Sequence, residues 1–140
     1  MRAINEIIIH CADTPNGKEF HNTDIDRWHK ERGWSSIGYH WVITIDGTVE
    51  AGRHPEVPGA HATGHNKNSL GICLIGRNKF TQAQWDSLAY LVKALKDEYK
   101  DAKIMGHYNV DKHGKTCPNF DVIEWIENGF IPNEASILSK

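Results

Sequence analysis

Short β-branched runs alternate along this chain with segments of helical periodicity, and the alternation limits the folds open to it. The apolar runs predict five strands, over Glu6–Cys11, Tyr39–Ile45, Thr48–Ala51, Leu70–Ile75 and Lys103–Gly106. Asp46-Gly47, between the second and third runs, is a tight-turn signal, so these two strands are predicted to form an antiparallel hairpin.

Three segments predict helices. Thr23 with Asp26 three residues on resembles a capping box, and it would open a helix that runs to about residue 32. Thr81 with Gln84 opens a second helix, whose apolar residues share one stripe at helical spacing: Trp85, Leu88, Leu91, Val92, Leu95 and Tyr99. Asp121–Asn128 predicts the last helix. 

Together these elements predict an α/β protein with a single domain. Because strands alternate with helices and one pair is a hairpin, the central β-sheet should be mixed and flanked by helices on both faces. We expect residues 1–130 to form the domain and residues 131–140 to form a C-terminal tail. A chain of 140 residues can bury an adequate core without disulfides.

Charge and cysteine content exclude several classes of protein. The formal net charge is −2, so broad affinity for nucleic acid or an anionic membrane is not indicated. No apolar run approaches the ~20 residues that a membrane span needs. The first strand begins almost directly after Met1 without a secretory signal pattern, which predicts synthesis in a cytoplasm. Three cysteines, an odd number, argue against a disulfide scaffold.

Two histidines come at the carboxyl ends of apolar strands, and a cysteine follows the second of them. His10 ends the run Ile7-Ile8-Ile9, His107 follows Ile104-Met105-Gly106, and Cys117 lies ten residues further on in a polar loop. In α/β sheets this edge is where sites are built. Two imidazoles and one thiolate are typical of catalytic zinc, which keeps its fourth position for water and lowers the pKa of that water toward ~7.

The same residues allow other interpretations. A single histidine at a strand end is usually just hydrogen-bonded, and a buried cysteine is usually a small apolar side chain. Cys11 could pair with Cys117, and His113 is a rival metal ligand in the middle of the loop. Spacing alone leaves these alternatives open.

Several longer segments resemble one family. They are IIIHC, RWHKERGWSSIGYHWVITIDGTVEAGR, GAHATGHNKNSLGICLIG, FTQAQ and GHYNVDKHGKTCPNFD, and they span the chain from about residue 6 to residue 128. In number, order and length they resemble the zinc-dependent N-acetylmuramoyl-L-alanine amidases (type 2) of the T7-lysozyme branch, which are phage endolysins. The resemblance implies a central mixed sheet with a zinc groove at one edge.

The resemblance also implies roles for individual residues. His10, His107 and Cys117 match the three zinc ligands of the family, and Tyr39 and Lys115 match its catalytic tyrosine and lysine. Zinc-activated water would attack the lactyl carbonyl, while the Lys115 ammonium stabilises the oxyanion.

Other polar residues have smaller expected roles. His61 matches a groove histidine of the family, which implies contact with the substrate. Glu50 is a weak candidate for the general base, and the sequence favours its interpretation as a solvated carboxylate on a strand. Several other residues are interpreted as structural or as shaping the long loop over residues 52–69: Cys11, Trp28, His29, Trp34, His40, Trp41, His65, Asn66 and Cys73.

The implied function is hydrolysis of the amide between N-acetylmuramic acid and L-alanine in peptidoglycan during phage-mediated host lysis. The protein would be made in the host cytoplasm and reach the cell wall after a membrane breach. It is expected to be a monomer, and a phage RNA polymerase is a further partner that the resemblance suggests. The alternatives are a recognition module without activity and a cytoplasmic amidase that recycles muropeptides.

Overall fold

The computed structural model describes residues 2–111 and 113–139, and within them five strands form one mixed sheet. The strands are β1 (Glu6–Cys11), β2 (Trp41–Ile43), β3 (Val49–Ala51), β4 (Ser69–Leu74) and β5 (Lys103–Gly106). Their order across the sheet is β3-β2-β4-β1-β5. The β2–β3 hairpin is antiparallel and the other pairs are parallel, which confirms the predicted mixed sheet.

β2 is shorter than predicted, because the chain turns sooner than its apolar run suggests. The Thr44 hydroxyl donates to an Asp46 carboxylate oxygen, and the Thr44 N–H donates to the Thr48 carbonyl at 3.0 Å. At the other end, Tyr39 lies two residues before β2, between bends at Gly38 and His40. Tyr39 therefore lies outside the strand in which it was predicted.

Three helices flank the sheet in the described part of the chain: α1 (Asn22–Glu31), α2 (Gln82–Glu98) and α3 (Val122–Glu127). The predicted N-cap of α1 at Thr23 is wrong, since the helix begins earlier and His21 is its N-cap. The His21 N–H donates to Asp24 Oδ2 at 2.8 Å, and the Asn22 N–H donates to Glu50 Oε1 on β3 at 2.8 Å. An acceptor from a distant strand therefore fixes this helix start.

The start of α2 is the one predicted. The Gln84 N–H donates to Thr81 Oγ1 at 3.1 Å, and the Thr81 N–H donates to Gln84 Oε1 at 2.9 Å. This reciprocal capping box satisfies two backbone donors that a helix N-terminus otherwise leaves unpaired, and a lost N-cap typically costs ~1 kcal/mol. α2 is thereby held against the sheet with its apolar stripe inward.

Two hydrophobic clusters cover the two faces of the sheet. α2 and α3 pack on one face, in a cluster that includes Ile7, Ile9, Leu70, Ile72, Leu74, Trp85, Leu88, Val92 and Trp125. α1 packs on the other face, in a smaller cluster of Ile25, Ile37, Val42, Cys73 and Ile75. Because strand side chains alternate between faces, Ile9 points toward α2 while His10 points toward α1. The α1 face therefore receives the polar groups.

The segment after α3 contacts the body of the protein. The Leu138 N–H donates to the Phe80 carbonyl at 2.8 Å, and Trp85 Nε1–H donates to the Ser136 carbonyl at 3.1 Å. Lys140, the last residue of the predicted tail, lies outside the described residues. None of the helices within residues 2–111 and 113–139 is long and apolar enough to cross a membrane.

Candidate zinc centre and groove

Strand register brings the two candidate histidine ligands together. β1 and β5 are parallel neighbours with Ile9 opposite Gly106, so the next residues, His10 and His107, lie side by side. Their ring centroids are 4.4 Å apart. His10 is buried, whereas His107 is partly exposed at the start of a 3₁₀ turn, His107–Asn109.

Cys117 reaches the same point from the loop that follows. The Cys11 N–H donates to Cys117 Sγ at 3.0 Å, and the Tyr108 N–H donates to the Cys117 carbonyl at 2.9 Å. One ligand atom from each of His10, His107 and Cys117 lies within 4.8 Å of the others. All three cysteines of the chain are free thiols, so a disulfide between Cys11 and Cys117 is not formed.

The chemistry of this donor set fits zinc. Burial and the neighbouring His61, His107 and Lys115 hold the pKa of His10 well below its ordinary value, and burial lowers the pKa of His107 as well. Both imidazoles are therefore neutral at pH 7, as metal ligands must be. A hydrogen bond with the Cys11 thiol, together with burial, raises the pKa of Cys117. A bound cation would have to displace that proton.

The three residues line an open groove of about 610 Å³ on the α1 face. Trp28 and His29 of α1 also line it, together with Arg32 just past the end of the helix and residues 114–117 of the loop after β5. Trp34 also lines this groove, whereas Trp41 packs against the α2-side cluster. A groove that is open at its surface can admit an extended polymer.

Tyr39 and Lys115 both line the groove beside the candidate ligands. The Tyr39 ring centroid is 5.0 Å from that of His10, and burial raises the pKa of Tyr39 well above its ordinary value. Its hydroxyl therefore keeps its proton at neutral pH and can donate a hydrogen bond.

Lys115 is exposed, and its loop is shaped by one carboxylate. Asp111 Oδ2 accepts from the N–H of His113 at 3.0 Å and from the N–H of Lys115 at 2.8 Å. The charge of Lys115 contributes to lowering the pKa of both His10 and His107, so its ammonium is close enough to both imidazoles to act on them electrostatically. His113 is exposed and does not join the ligand cluster.

His61 lines the groove but is largely buried. It is only 9% exposed, and its Nδ1 lies 2.8 Å from His10 Nε2. Its Nε2 lies 3.1 Å from Ser69 Oγ. Ser69 has no signal in the sequence as a site residue, because its relation to His61 appears only once β4 has paired with β1.

Two other buried histidines are satisfied internally, as the sequence predicts. His40 Nδ1 accepts from the Gly71 N–H at 3.0 Å, and His29 Nδ1 accepts from the Gly38 N–H at 2.8 Å. The rings of Tyr39 and His40 both lie within 6.5 Å of His61. Both residues precede β2, so they lie outside the strand on which the predicted division of their side chains between opposite faces depends.

Glu50 and His65 are engaged elsewhere. Glu50 is neither a groove carboxylate nor freely solvated, since it binds the N-terminus of α1 and lies 2.9 Å from His21 Nδ1. His65 Nδ1 lies 2.8 Å from Glu6 Oε1, outside the groove. Among the described residues, Asp13 is the one carboxylate that lines the groove, and it pairs with Arg77 at 2.8 Å.

Buried neutral histidines make a testable contribution to acid sensitivity. Burial lowers the pKa of His40 to about 4, against an unfolded value near 6.5. Between these values the unfolded chain binds a proton that the folded chain does not, so stability falls as pH drops from 6.5 toward 4. From pH 7 to pH 5 the free energy of unfolding of zinc-free protein should fall by about 2 kcal/mol through this residue.

Urea denaturation of chelator-treated protein at the two pH values measures this loss. His40→Gln should flatten the dependence by that amount, while His113→Gln, at an exposed site, serves as the matched control. An unchanged slope in His40→Gln would contradict the assignment.

The fold and the donor set define a class: an α/β protein with three side chains that could hold a metal ion, in an open groove at the carboxyl edge of its sheet. A family model described as N-acetylmuramoyl-L-alanine amidase matches residues 1–120. The chain therefore belongs to the N-acetylmuramoyl-L-alanine amidase family, which is generally zinc-dependent.

Individual proteins that are similar in sequence or structure support this family membership. The endolysin of Escherichia phage T7 is 42% identical over 129 residues, covering 86% of this chain and 84% of that protein. The endolysin of Klebsiella phage KP32 is 40% identical over 131 residues, covering 88% and 85%. Among solved structures, the amidase LysC of Clostridium intestinale URNW superposes with a TM-score of 0.82 at 32% identity, covering 91% of this chain and 85% of LysC.

Proposed function

We propose that this chain cleaves the amide bond between N-acetylmuramic acid and L-alanine with a zinc ion held by His10, His107 and Cys117. The chain is a peptidoglycan hydrolase of the endolysin type, an enzyme of phage lysis. The observation that carries the zinc assignment is the convergence of two neutral imidazoles and one thiol within 4.8 Å. This count of protein ligands leaves a position open for catalysis.

Zinc in this set would supply Lewis acidity, which activates water and polarises a carbonyl. The rest of the chemistry belongs to side chains of the groove. We propose that the Lys115 ammonium stabilises the negative charge that develops on the lactyl oxygen. The Tyr39 hydroxyl, protonated at neutral pH, donates a hydrogen bond to the same tetrahedral species.

The reaction predicts a specific product and a dependence on metal. Digestion of purified peptidoglycan should release stem peptides with new L-alanine amino groups. Prolonged chelation should abolish the release, and added zinc should restore it. Dinitrophenylation of new amino ends, followed by hydrolysis and chromatography, identifies the bond that is cut. The appearance of new reducing sugar ends in place of amino ends would refute the amidase assignment.

The location and partners follow from this function. We propose synthesis in the host cytoplasm and action on the cell wall after a membrane breach, with peptidoglycan as the macromolecular substrate. We also propose that residues 1–130 carry catalysis and that residues 131–140 are an accessory tail. A monomeric state and binding to a phage RNA polymerase stay predictions from the resemblance.

A further inference from the structure

His61 lines the groove, and one of its ring nitrogens lies within hydrogen-bond distance of a candidate zinc ligand. His61 Nδ1 lies 2.8 Å from His10 Nε2, and the two rings meet edge to face with centroids 4.9 Å apart. His10 is 1% exposed and Ser69, on the far side of His61, is fully buried. These three side chains therefore form a continuous buried row, His10–His61–Ser69.

The hydrogen bonds of this row have only one consistent direction when His10 binds a metal. Because His10 Nε2 faces His61, Nδ1 is the ring nitrogen that remains for a cation. A neutral imidazole that binds through Nδ1 carries its proton on Nε2, so His10 must donate to His61 Nδ1. His61 then carries its own proton on Nε2, and that proton needs an acceptor. Ser69 Oγ, 3.1 Å away, is that acceptor.

The surrounding backbone holds the His61 ring in this place. The Asn66 side-chain oxygen accepts from the N–H groups of His61 and Ala62, both at 2.9 Å. A Cβ added at Gly71 would lie 2.7 Å from the His61 ring, and one added at Gly59 would lie 2.6 Å from it. Two glycines therefore leave the space that this ring fills, and the ring has little freedom to turn toward a substrate.

We propose that His61 and Ser69 are positioning residues that fix the tautomer and orientation of His10 for zinc. The inference rests on the proposed function, and it replaces the substrate contact that the resemblance implies for His61. Partners of this kind on the other nitrogen of a ligating histidine typically change metal affinity by about 10- to 100-fold. His61 thus acts through His10 and need not touch the substrate.

Ser69→Ala is the sharpest variant, because it removes one hydroxyl and leaves all three proposed ligands in place. In zinc-free protein His61 can move its proton to Nδ1 and donate to His10. In zinc-loaded protein that tautomer would place the His61 Nδ1–H against the His10 Nε2–H. His61 must therefore keep its proton on Nε2, where the variant has no Ser69 hydroxyl to accept it, and only the zinc-loaded state is destabilised. We expect zinc affinity to fall about tenfold. Ser69→Thr, which keeps the hydroxyl, should restore affinity to near the wild-type value.

Zinc dissociation constants from chelator competition, together with melting temperatures of the zinc-free proteins, test the proposal. His61→Leu should weaken zinc binding at least as much as Ser69→Ala, whereas His61→Gln, with an acceptor and a donor, should recover part of it. Ser87→Ala is the matched control. It removes a hydroxyl that donates to the Gly47 carbonyl away from the groove, so it should leave zinc affinity unchanged.

The outcomes separate this inference from the function beneath it. Unchanged zinc affinity in Ser69→Ala and His61→Leu, with a raised KM at saturating zinc, would overturn the positioning role and favour substrate contact. Equal losses of zinc affinity in Ser69→Ala and Ser87→Ala would also overturn it. Absence of zinc binding by the unmodified protein would instead refute the proposed zinc centre itself.

Discussion

Replacement of Cys117 by serine should remove both zinc and activity. A serine hydroxyl is not ionised at neutral pH and is a far poorer ligand for zinc than a thiolate, so the site would keep only His10 and His107. We expect stoichiometric zinc to be lost at micromolar protein. Peptidoglycan hydrolysis should fall by about 10³-fold or more, since the metal provides the activation of water. Metal analysis after gel filtration and release of stem peptides measure the two effects.

A matched control is available in the same chain. Cys73 is a fully buried cysteine on β4 that packs with the α1-side cluster, so Cys73→Ala removes a thiol without removing a proposed ligand. This variant should lose some stability and still bind one zinc ion. A Cys117→Ser protein that is fully active and free of zinc would contradict the ligand assignment.

Replacement of Lys115 by alanine should lower kcat by about 10²- to 10³-fold at saturating zinc, the usual cost of one lost oxyanion donor. Zinc affinity should not fall and should rise slightly, since the Lys115 charge lowers the pKa of His10 and His107 and would repel a cation in the same way. The combination of slower catalysis with undiminished zinc binding separates a role in catalysis from a role in holding the metal.

Steady-state hydrolysis of a soluble muropeptide and chelator competition give the two quantities. Lys67→Ala is the control, because Lys67 belongs to the 3₁₀ turn Asn66–Asn68 and does not line the groove. Lys115→Arg, which keeps the charge, should retain more activity than Lys115→Ala. An unchanged kcat in Lys115→Ala would exclude this lysine from the reaction.

The local sequence pattern was sufficient to predict the bounds of a strand or helix where the interactions that define the element come from neighbouring residues. The bounds of β1 and β5 and the cap of α2 are those predicted, because a short apolar run and a Thr-x-x-Gln box are formed by residues that are neighbours in the sequence. The start of α1 was missed because its acceptor, Glu50, lies 28 residues further along the chain. No pattern within the helix itself indicates that acceptor.

For the candidate site, too, some features follow from the sequence and others only from the tertiary structure. The sequence by itself determined the residue types and their order: histidines at two strand ends, a cysteine after the second, and a lysine two residues before that cysteine. These matched a family, although spacing alone left several interpretations of the cysteine open. Only the tertiary structure decided that His10 and His107 adjoin, because this depends on β1 and β5 being parallel neighbours in register.

The tertiary structure also decided the position of His61 relative to the proposed ligands. In the sequence His61 is a loop histidine 51 residues from His10, and nothing local distinguishes a substrate contact from a supporting residue. Sheet pairing brings β4 beside β1 and places Ser69 and Gly71 beneath the His61 ring. Hydrogen bonds form between groups that are close in space, whatever their separation along the chain. The sequence therefore determined which chemical groups are present, and only the fold determined which of them are hydrogen-bonded to each other.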